Sequence, residues 1–346
     1  MKYWFILYVM ALGMSFFANA EAQKLPPINS LKDLPVQLVM DTMDNEDIAS
    51  PSLPEVSKDG VVFFYDFKLK QLYRTSIKNQ KLFPISREGS GPKEYNGGIS
   101  EILLDKEFVY TLDGNGKLMC FGINGDFKWE KQTRSPWLKF IACRKDIFYF
   151  CKTNFKTMTD VAYSAIEWKD EETSRLIIEI PALTELGDAN INGKIIPKSA
   201  VFFIGAPVFI LSNNTLVVSG SETYQFDLIG LDGKLIKQVK FDEAYPQNLD
   251  PRKIKSKQFA IEKIYPDSQY LWMLSKYYSN GKPRIDAFSP QGKLKKSFLI
   301  PLNMKQEIYE GRTYSKETKI MNGYLIYSNR AESGFKIFKI NESVYR

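Results

Sequence analysis

The chain has 346 residues, with 47 Lys and Arg against 40 Asp and Glu, no histidine, three cysteines and 14% aromatic residues. Without imidazole there is no Ser-His-Asp or Cys-His catalysis and no zinc site built on histidine, and an odd cysteine count leaves no complete disulfide framework. A net charge of +7, drawn from scattered lysines, speaks for solvated faces and against a nucleic-acid groove.

At the N-terminus, Lys2 precedes an almost wholly apolar run from Tyr3 to Phe17, which ends in the small residues Ala18-Asn19-Ala20. This pattern predicts a signal peptide over residues 1–22, cleaved near Ala20 or at the second small-x-small site, Ala20-Glu21-Ala22. A membrane anchor is the competing reading, but the apolar run is short for a spanning helix. No cysteine stands directly after the cleavage region to carry a lipid. The expectation is therefore a secreted or periplasmic protein with no transmembrane span after cleavage. Residues 23–346 contain no Pro/Ser-rich linker and read as one domain.

The next apolar run, Val36-Gln37-Leu38-Val39-Met40, has no obvious partner nearby. Beyond it an aromatic-rich burst recurs six times: Val61–Tyr65, Phe108–Tyr110, Ile147–Phe150, Leu216–Val218, Leu271–Met273 and Leu325–Tyr327. The mean interval of about 53 residues is in the range of propeller blades or solenoid units. Each repeat divides into four short β-type runs separated by turn residues. The second repeat shows this best, with runs Ile99–Asp105, Phe108–Leu112, Leu118–Gly122 and Phe127–Glu130. Its last turn, Asn124-Gly125-Asp126, recurs as Asp232-Gly233-Lys234 and Gln291-Gly292-Lys293.

The sixth repeat ends with the chain before a fourth strand. Val36–Met40 would supply it and so close a ring, removing an open sheet edge. The predicted fold is an all-β, six-bladed β-propeller of four-stranded antiparallel blades. A seven-bladed ring is the alternative. An α/β fold lacks its amphipathic helices, since only Ile254–Ile264 has a helical pattern, and a β-sandwich lacks the repeat.

Loops that join one blade's outer strand to the next blade's inner strand share one face of such a ring. They fall near 86–98, 131–137, 181–203, 241–261 and 301–314, and binding residues concentrate on loops of this kind. The first carries the most distinctive string in the chain, Arg87-Glu88-Gly89-Ser90-Gly91-Pro92-Lys93-Glu94-Tyr95. This G-x-G-P-x-E-Y form is followed by Tyr110-Thr111-Leu112-Asp113, Asn115-Gly116-Lys117-Leu118 and Asn124-Gly125. Together they resemble the six-bladed β-propeller proteins exported by Gram-negative bacteria, relatives of the NHL-repeat propellers. The resemblance is sharp over residues 87–130. It implies the fold and export more than any activity. Of the Asp and Lys that flank the second turn in that family, Asp113 and Lys117 in the second repeat are the pair that stands out.

Two readings of the string stay open. Gly89, Gly91 and Pro92 can shape a turn that Glu94 and Tyr95 pin. Alternatively, Arg87, Glu88, Glu94 and Tyr95, joined by Trp137, form a ligand-binding surface. Exposed aromatics expected near the loops are Trp137, Tyr245, Tyr265, Tyr277 and Tyr278. The string Asp113–Lys117 lacks the ligand pattern of a calcium loop and reads as a turn. Carboxylates on the inner strands, Glu55, Glu101, Asp105, Glu262 and Glu317, are the candidates for hydrolysis around a divalent ion, provided that three or more converge.

Cys120, Cys143 and Cys151 fall in hydrophobic runs as buried thiols, with one intrablade disulfide as the alternative. Lysine clusters at 252–257 and 293–296 would at most attract an anionic glycan. No catalytic residue, metal ligand or cofactor site is assigned. The expected role is a non-catalytic binding or scaffold module for a protein, peptide or glycan of the bacterial envelope; the alternative is a propeller hydrolase or lactonase.

Overall fold

The computed structural model describes residues 24–346 apart from 44, 53, 134, 136–137, 156–160, 171–172, 182, 192–193, 206–207, 220–223, 242–260, 268, 303–306, 310–311, 315 and 330–333. After a short 3-10 turn (Ile28–Ser30), β1 spans Val36–Asp41. Blade 1 is β2 (Glu55–Val56), β3 (Val61–Asp66), β4 (Gln71–Ser76) and β5 (Phe83–Arg87); blade 2 is β6 (Ile99–Leu104), β7 (Phe108–Asp113), β8 (Lys117–Gly122) and β9 (Phe127–Gln132). Blade 3 is β10 (Leu138–Arg144), β11 (Ile147–Phe155), β12 (Val161–Trp168) and β13 (Ser174–Pro181). A separate hairpin follows, β14 (Leu183–Ile191) with β15 (Lys194–Gly205).

Blade 4 is β16 (Val208–Ser212), β17 (Thr215–Ser219), β18 (Gln225–Gly230) and β19 (Leu235–Lys240); blade 5 is β20 (Ile261–Pro266), β21 (Leu271–Ser279), β22 (Lys282–Phe288) and β23 (Leu294–Leu299). A short hairpin, β24 (Glu307–Tyr309) with β25 (Arg312–Tyr314), precedes β26 (Lys316–Met321), β27 (Tyr324–Asn329) and β28 (Gly334–Ile340) of blade 6. Among the described residues the blades form six four-stranded antiparallel sheets, and the last has the order β1-β28-β27-β26. The chain is a six-bladed β-propeller.

The six aromatic bursts are the second strands, β3, β7, β11, β17, β21 and β27. They read as continuous apolar runs because each is covered on both faces by neighbouring blades, which removes the in/out alternation of a one-sided strand. Val62, Phe63, Phe64 and Tyr65 are all buried. The core is correspondingly divided into six buried clusters, each lying between two adjacent blades; Phe63, Tyr65, Ile99, Val109, Met119 and Phe121 fill the junction of blades 1 and 2. Outer strands are the more exposed, as β9 and β19 show.

The recurring glycine of the third-to-fourth turn has two reasons to be glycine. Gly125 and Gly233 sit at φ 95° and 81°. A Cβ at Gly125 would stand 2.7 Å from Ile85 on the preceding blade's outer strand, and one at Gly233 would stand 2.6 Å from the Ile177 carbonyl oxygen. The turn therefore supplies positive φ and is also the point where one blade abuts the last.

Ring closure follows the expected route. β1 pairs antiparallel with β28, from Val36 opposite Ile340 to Asp41 opposite Lys336. Ahead of β1, residues 24–35 form a strap along the edge of β23: Leu34 N–H donates to Leu299 O (2.8 Å), Leu299 N–H donates to Lys32 O (2.9 Å) and Asp33 pairs with Lys282 (2.5 Å). Beneath the strap lies a buried ion pair absent from the sequence expectations. Arg284 Nε donates to Asp286 Oδ2 (2.8 Å), Arg284 Nη1 to Pro26 O of the strap (3.0 Å), Ser297 Oγ to Asp286 Oδ1 (2.5 Å) and Tyr224 Oη of blade 4 to Asp286 Oδ2 (2.6 Å).

Several expectations need correction. Ile261–Ile264 is strand, as the start of β20, so the helical pattern there fails; 254–260 lie outside the described residues. Tertiary pairing with β21 overrides local period in this segment. The loops expected near 181–203 and 301–314 each carry a hairpin. The signal-peptide region, residues 1–22, lies outside the described residues, among which no helix is long and apolar enough to cross a membrane.

The loop face and channel mouth as a candidate functional site

The G-x-G-P-x-E-Y loop is held mainly by its own side chains. Glu94 Oε2 accepts the Gly91 N–H (2.8 Å) and Glu94 Oε1 accepts from Arg87 Nε (2.9 Å). A Cβ at Gly89 would overlap the Glu94 carboxylate, so glycine there is a demand of close approach. The backbone closes on itself through Gly89 N–H to Tyr95 O (3.0 Å) and Tyr95 N–H to Arg87 O (3.2 Å). Tyr95 is fully buried, edge-on to Tyr65, and its hydroxyl donates to Lys70 O (3.1 Å). Its ring therefore serves the interior and offers no aromatic surface to a ligand. Lys70 also pairs with Glu88 (2.6 Å), and Lys117 Nζ reaches Glu94 O (2.9 Å).

The structure thus brings Arg87, Glu88, Glu94 and Tyr95 together in one loop. Arg87 has the most accessible side chain, 74% exposed, with Glu88 and Glu94 at 30% and 22%. Trp137 lies outside the described residues.

Gly91 N–H and the Arg87 guanidinium hold the Glu94 carboxyl below the usual carboxylate range. A carboxyl with a lowered folded-state pKa stabilises the fold above its unfolded pKa, and that contribution disappears as pH falls through the folded value. Glu94→Gln is therefore expected to lower Tm at neutral pH, with the deficit shrinking on acidification, as read by thermal melts from pH 7 to pH 3. A deficit that is constant with pH would assign the loop to packing alone.

Asp113 anchors the same face. It accepts N–H bonds from Asn115 (2.9 Å), Lys117 (2.8 Å) and Asn96 (3.1 Å), which confirms a turn. The equivalent residue of blade 1 is Asp66, which accepts from Ala49, Ser50, Lys68 and Leu69. The clamp is thus shared by blades 1 and 2. Asp66 carries no local signal, because its turn, Phe67-Lys68-Leu69-Lys70, lacks the Gly and Asn that make Asp113 legible.

All inner strands start from the loop face, so the first residues of β2, β6, β10, β16, β20 and β26 surround the channel mouth. Along the inner strands Glu55 pairs with Lys319 across the junction of blades 1 and 6, and Glu317 pairs with Lys263 (3.8 Å) across blades 5 and 6. Burial pushes the Glu55 carboxyl up against the opposing effect of Lys319. Burial likewise pushes the Glu101 carboxyl up to about 7, with Lys139 and Lys319 lowering it and Glu55 raising it. Asp105 lies beyond the end of β6, in the turn to β7, where its backbone N–H donates to Phe108 O (2.9 Å). Among the described residues no three His, Cys, Asp or Glu side chains stand together as a metal-holding group.

Of the aromatics expected on the surface, Tyr265 and Tyr277 are buried and Tyr278 is 41% exposed; Tyr245 lies outside the described residues. Tyr265 turns inward because its hydroxyl donates to Thr318 O between blades 5 and 6. All three cysteines are free thiols. Burial pushes Cys120 up to about 12 and Cys143 and Cys151 up to about 11, which leaves them weak nucleophiles at neutral pH. Lys296 does not simply face solvent, since its ammonium donates to Val344 O (2.6 Å) at the C-terminal turn. The cluster at 252–257 lies outside the described residues.

No family model matches the chain, and no curated protein sequence does. Among solved structures it is similar to the computationally designed Ika8 protein (TM-score 0.46, 9% identity, 88% of this chain and 100% of that one). It is also similar to a chain of a Mitotic Checkpoint Complex (TM-score 0.47, 10% identity, 94% and 97% covered) and to a streptogramin B lyase (TM-score 0.44, 12% identity, 88% and 98% covered).

Proposed function

We propose that this propeller is an exported, secreted or periplasmic, non-catalytic binding or scaffold module whose loop face engages a protein, peptide or glycan of the bacterial envelope. The observation that carries this reading is the charge pairing on the inner strands that line the channel. Glu55 and Glu317 are engaged by Lys319 and Lys263, so carboxylates that a divalent ion would need are already neutralised by ammonium groups. What the mouth offers instead is a rigid rim of mixed charge, suited to hydrogen-bonding recognition. Export rests on the pattern of residues 1–22 and on the family resemblance over residues 87–130.

One observation favours the hydrolase alternative. A carboxyl held near pH 7, as Glu101 is, can both give and take a proton at neutral pH. A thermal-shift screen against envelope glycans, peptides, lactones and divalent cations, with and without EDTA, separates the two. Binding to the native state at a hundred times Kd stabilises by about 2.7 kcal/mol. Stabilisation by a peptide or glycan that is indifferent to EDTA is the expected result. Calcium-dependent stabilisation reversed by EDTA, with lactone turnover lost in Glu101→Gln, would replace the binding role with the hydrolase.

A further inference from the structure

The outer strands carry a repeated irregularity. In blades 1 to 5 the pairing of the third and fourth strands steps over one residue near the start of the outer strand, namely Ile85, Lys128, Ile177, Ile236 and Lys295. Such a bulged residue has no partner opposite it and must be either covered or suited to water. Ile85 and Ile177 are covered, because the glycine turn of the next blade settles there. A Cβ at Gly125 would stand 2.7 Å from Ile85, and one at Gly233 would stand 2.6 Å from the Ile177 carbonyl oxygen. Lys128 and Lys295 are exposed and suit water. Blade 4 departs from both solutions. The turn of blade 5 settles farther along β19, where a Cβ at Gly292 would stand 2.5 Å from Val239 Cγ2. Ile236 is left 62% exposed.

Two more aliphatic side chains flank it. Leu235 is 54% exposed and Leu176, on blade 3, is 58% exposed. The two blades meet at this point, as the approach of Gly233 to the Ile177 carbonyl oxygen shows; Leu176 immediately precedes that contact in blade 3 and Leu235 closely follows it in blade 4. Three large apolar groups therefore line one seam of the rim, and Ile236 stands where blades 2 and 5 place lysine.

The seam separates two charges. On its blade 3 side the link from β12 to β13 carries Asp170, Glu171 and Glu172 against Lys169, while Arg175 is paired with Glu167 (2.8 Å). On its blade 4 side Lys234, Lys237 and Lys240 outnumber Asp232, and all three lysines are exposed. One side is acidic, the other basic, and the apolar seam lies between them.

We propose that this seam is a self-association surface whose occupant is a second copy of the chain, in an isologous contact that lays Leu176, Leu235 and Ile236 of the two copies against one another. A two-fold axis parallel to the propeller axis reverses the order of blades in the partner, so the acidic side of each copy meets the lysines of the other. A two-fold at right angles to it would oppose lysines to lysines, at a cost in repulsion. A partner of one charge sign satisfies half of the seam: an acidic protein or an anionic membrane attracts the lysines but is repelled by the side of Asp170, Glu171 and Glu172. A second copy satisfies both halves.

This goes beyond the proposed binding role. Outer strands begin at the end of the blade opposite the loop face, because inner strands start from that face and strand direction alternates. The contact therefore leaves both loop faces open, and the two-fold points them the same way. Two linked faces bind a repetitive envelope surface more tightly than one.

Sedimentation velocity of the protein from about 1 µM to about 300 µM reads the association. Three apolar residues a side place the contact at the low end of interface size, so the expected result is a monomer–dimer equilibrium with Kd on the order of 10 µM. Ile236→Lys, which installs the residue type of blades 2 and 5, should raise Kd at least tenfold and keep the wild-type thermal transition. If that variant fails to fold, Leu235→Ser is expected to show the same loss. Lys234→Glu with Lys237→Glu should also raise Kd at least tenfold, and adding Glu171→Lys with Glu172→Lys to the same chain should restore it to within about threefold, since opposite charges again meet across the axis. Failure of that rescue in a folded chain overturns the two-fold arrangement. Folded protein that stays monomeric over the whole range overturns the inference, and so does a dimer indifferent to both apolar substitutions. A monomer that floats with anionic vesicles, and ceases to do so with Lys234→Glu and Lys237→Glu, assigns the seam to a membrane instead. In each of these cases a peptide or glycan response in the thermal-shift screen leaves the proposed function standing.

Discussion

Deletion of residues 23–45 is expected to abolish the cooperative thermal transition. The deletion removes all of β1, so β28 loses its antiparallel partner from Val36 to Asp41 and blade 6 becomes three-stranded. Buried Leu34 and Met40 go with it, each worth about 1.5–3 kcal/mol of apolar burial. The Thr42 hydroxyl, which donates to Phe335 O (3.0 Å) and accepts the Phe335 N–H (2.9 Å), is lost too. So is the Pro26 carbonyl over Arg284. These losses together are comparable with the roughly 5–15 kcal/mol net stability of a typical domain. The exposed edge of β28 would in addition invite association. Circular dichroism melts and size exclusion of the deleted form are the measurement; a monomer that keeps a sharp transition would show that the ring closes without β1.

The second large effect is expected at Asp286. Its carboxylate is fully buried and accepts from Arg284, Ser297 and Tyr224. Asp286→Ala takes from the Arg284 guanidinium, 2% exposed, the carboxylate that it pairs with. Breaking a buried pair on one side costs about 3–5 kcal/mol, because the remaining charge stays desolvated and loses that attraction. Urea denaturation should show that loss, and the double variant Asp286→Leu/Arg284→Met should recover much of it, since replacing both charges removes the penalty. Tyr224→Phe should cost less, about 1–3 kcal/mol for one hydrogen bond to a charged group. If Asp286→Ala were neutral, the blade 4, blade 5 and strap junction would be held by packing alone.

The repeat, the blade count and the closing strand were legible because they are written in local terms. Continuous aromatic runs mark strands packed on both faces, Gly125, Gly233 and Gly292 mark turns that need positive φ, and Val36–Met40 is an apolar run without a neighbour to pair with. The G-x-G-P-x-E-Y loop was legible as a unit for the same reason, since Glu94 reaches Gly91 and Arg87 within a few residues.

Features that depend on partners far along the chain were not legible. Asp286 meets Tyr224 and, through Arg284, the strap at Pro26, and nothing local to Arg284 or Asp286 announces that they are buried. Tyr265 and Tyr277 look like surface aromatics until neighbouring elements cover them. At the channel mouth the pattern showed which strands carry acids, but the lysines that neutralise them lie on other blades, Lys319 for Glu55 and Lys263 for Glu317. Period and turn chemistry act over a few residues and survive in the order of the letters. Charge pairing and burial act through space, and only the closed ring brings positions about one blade or five blades apart in sequence within reach of one another.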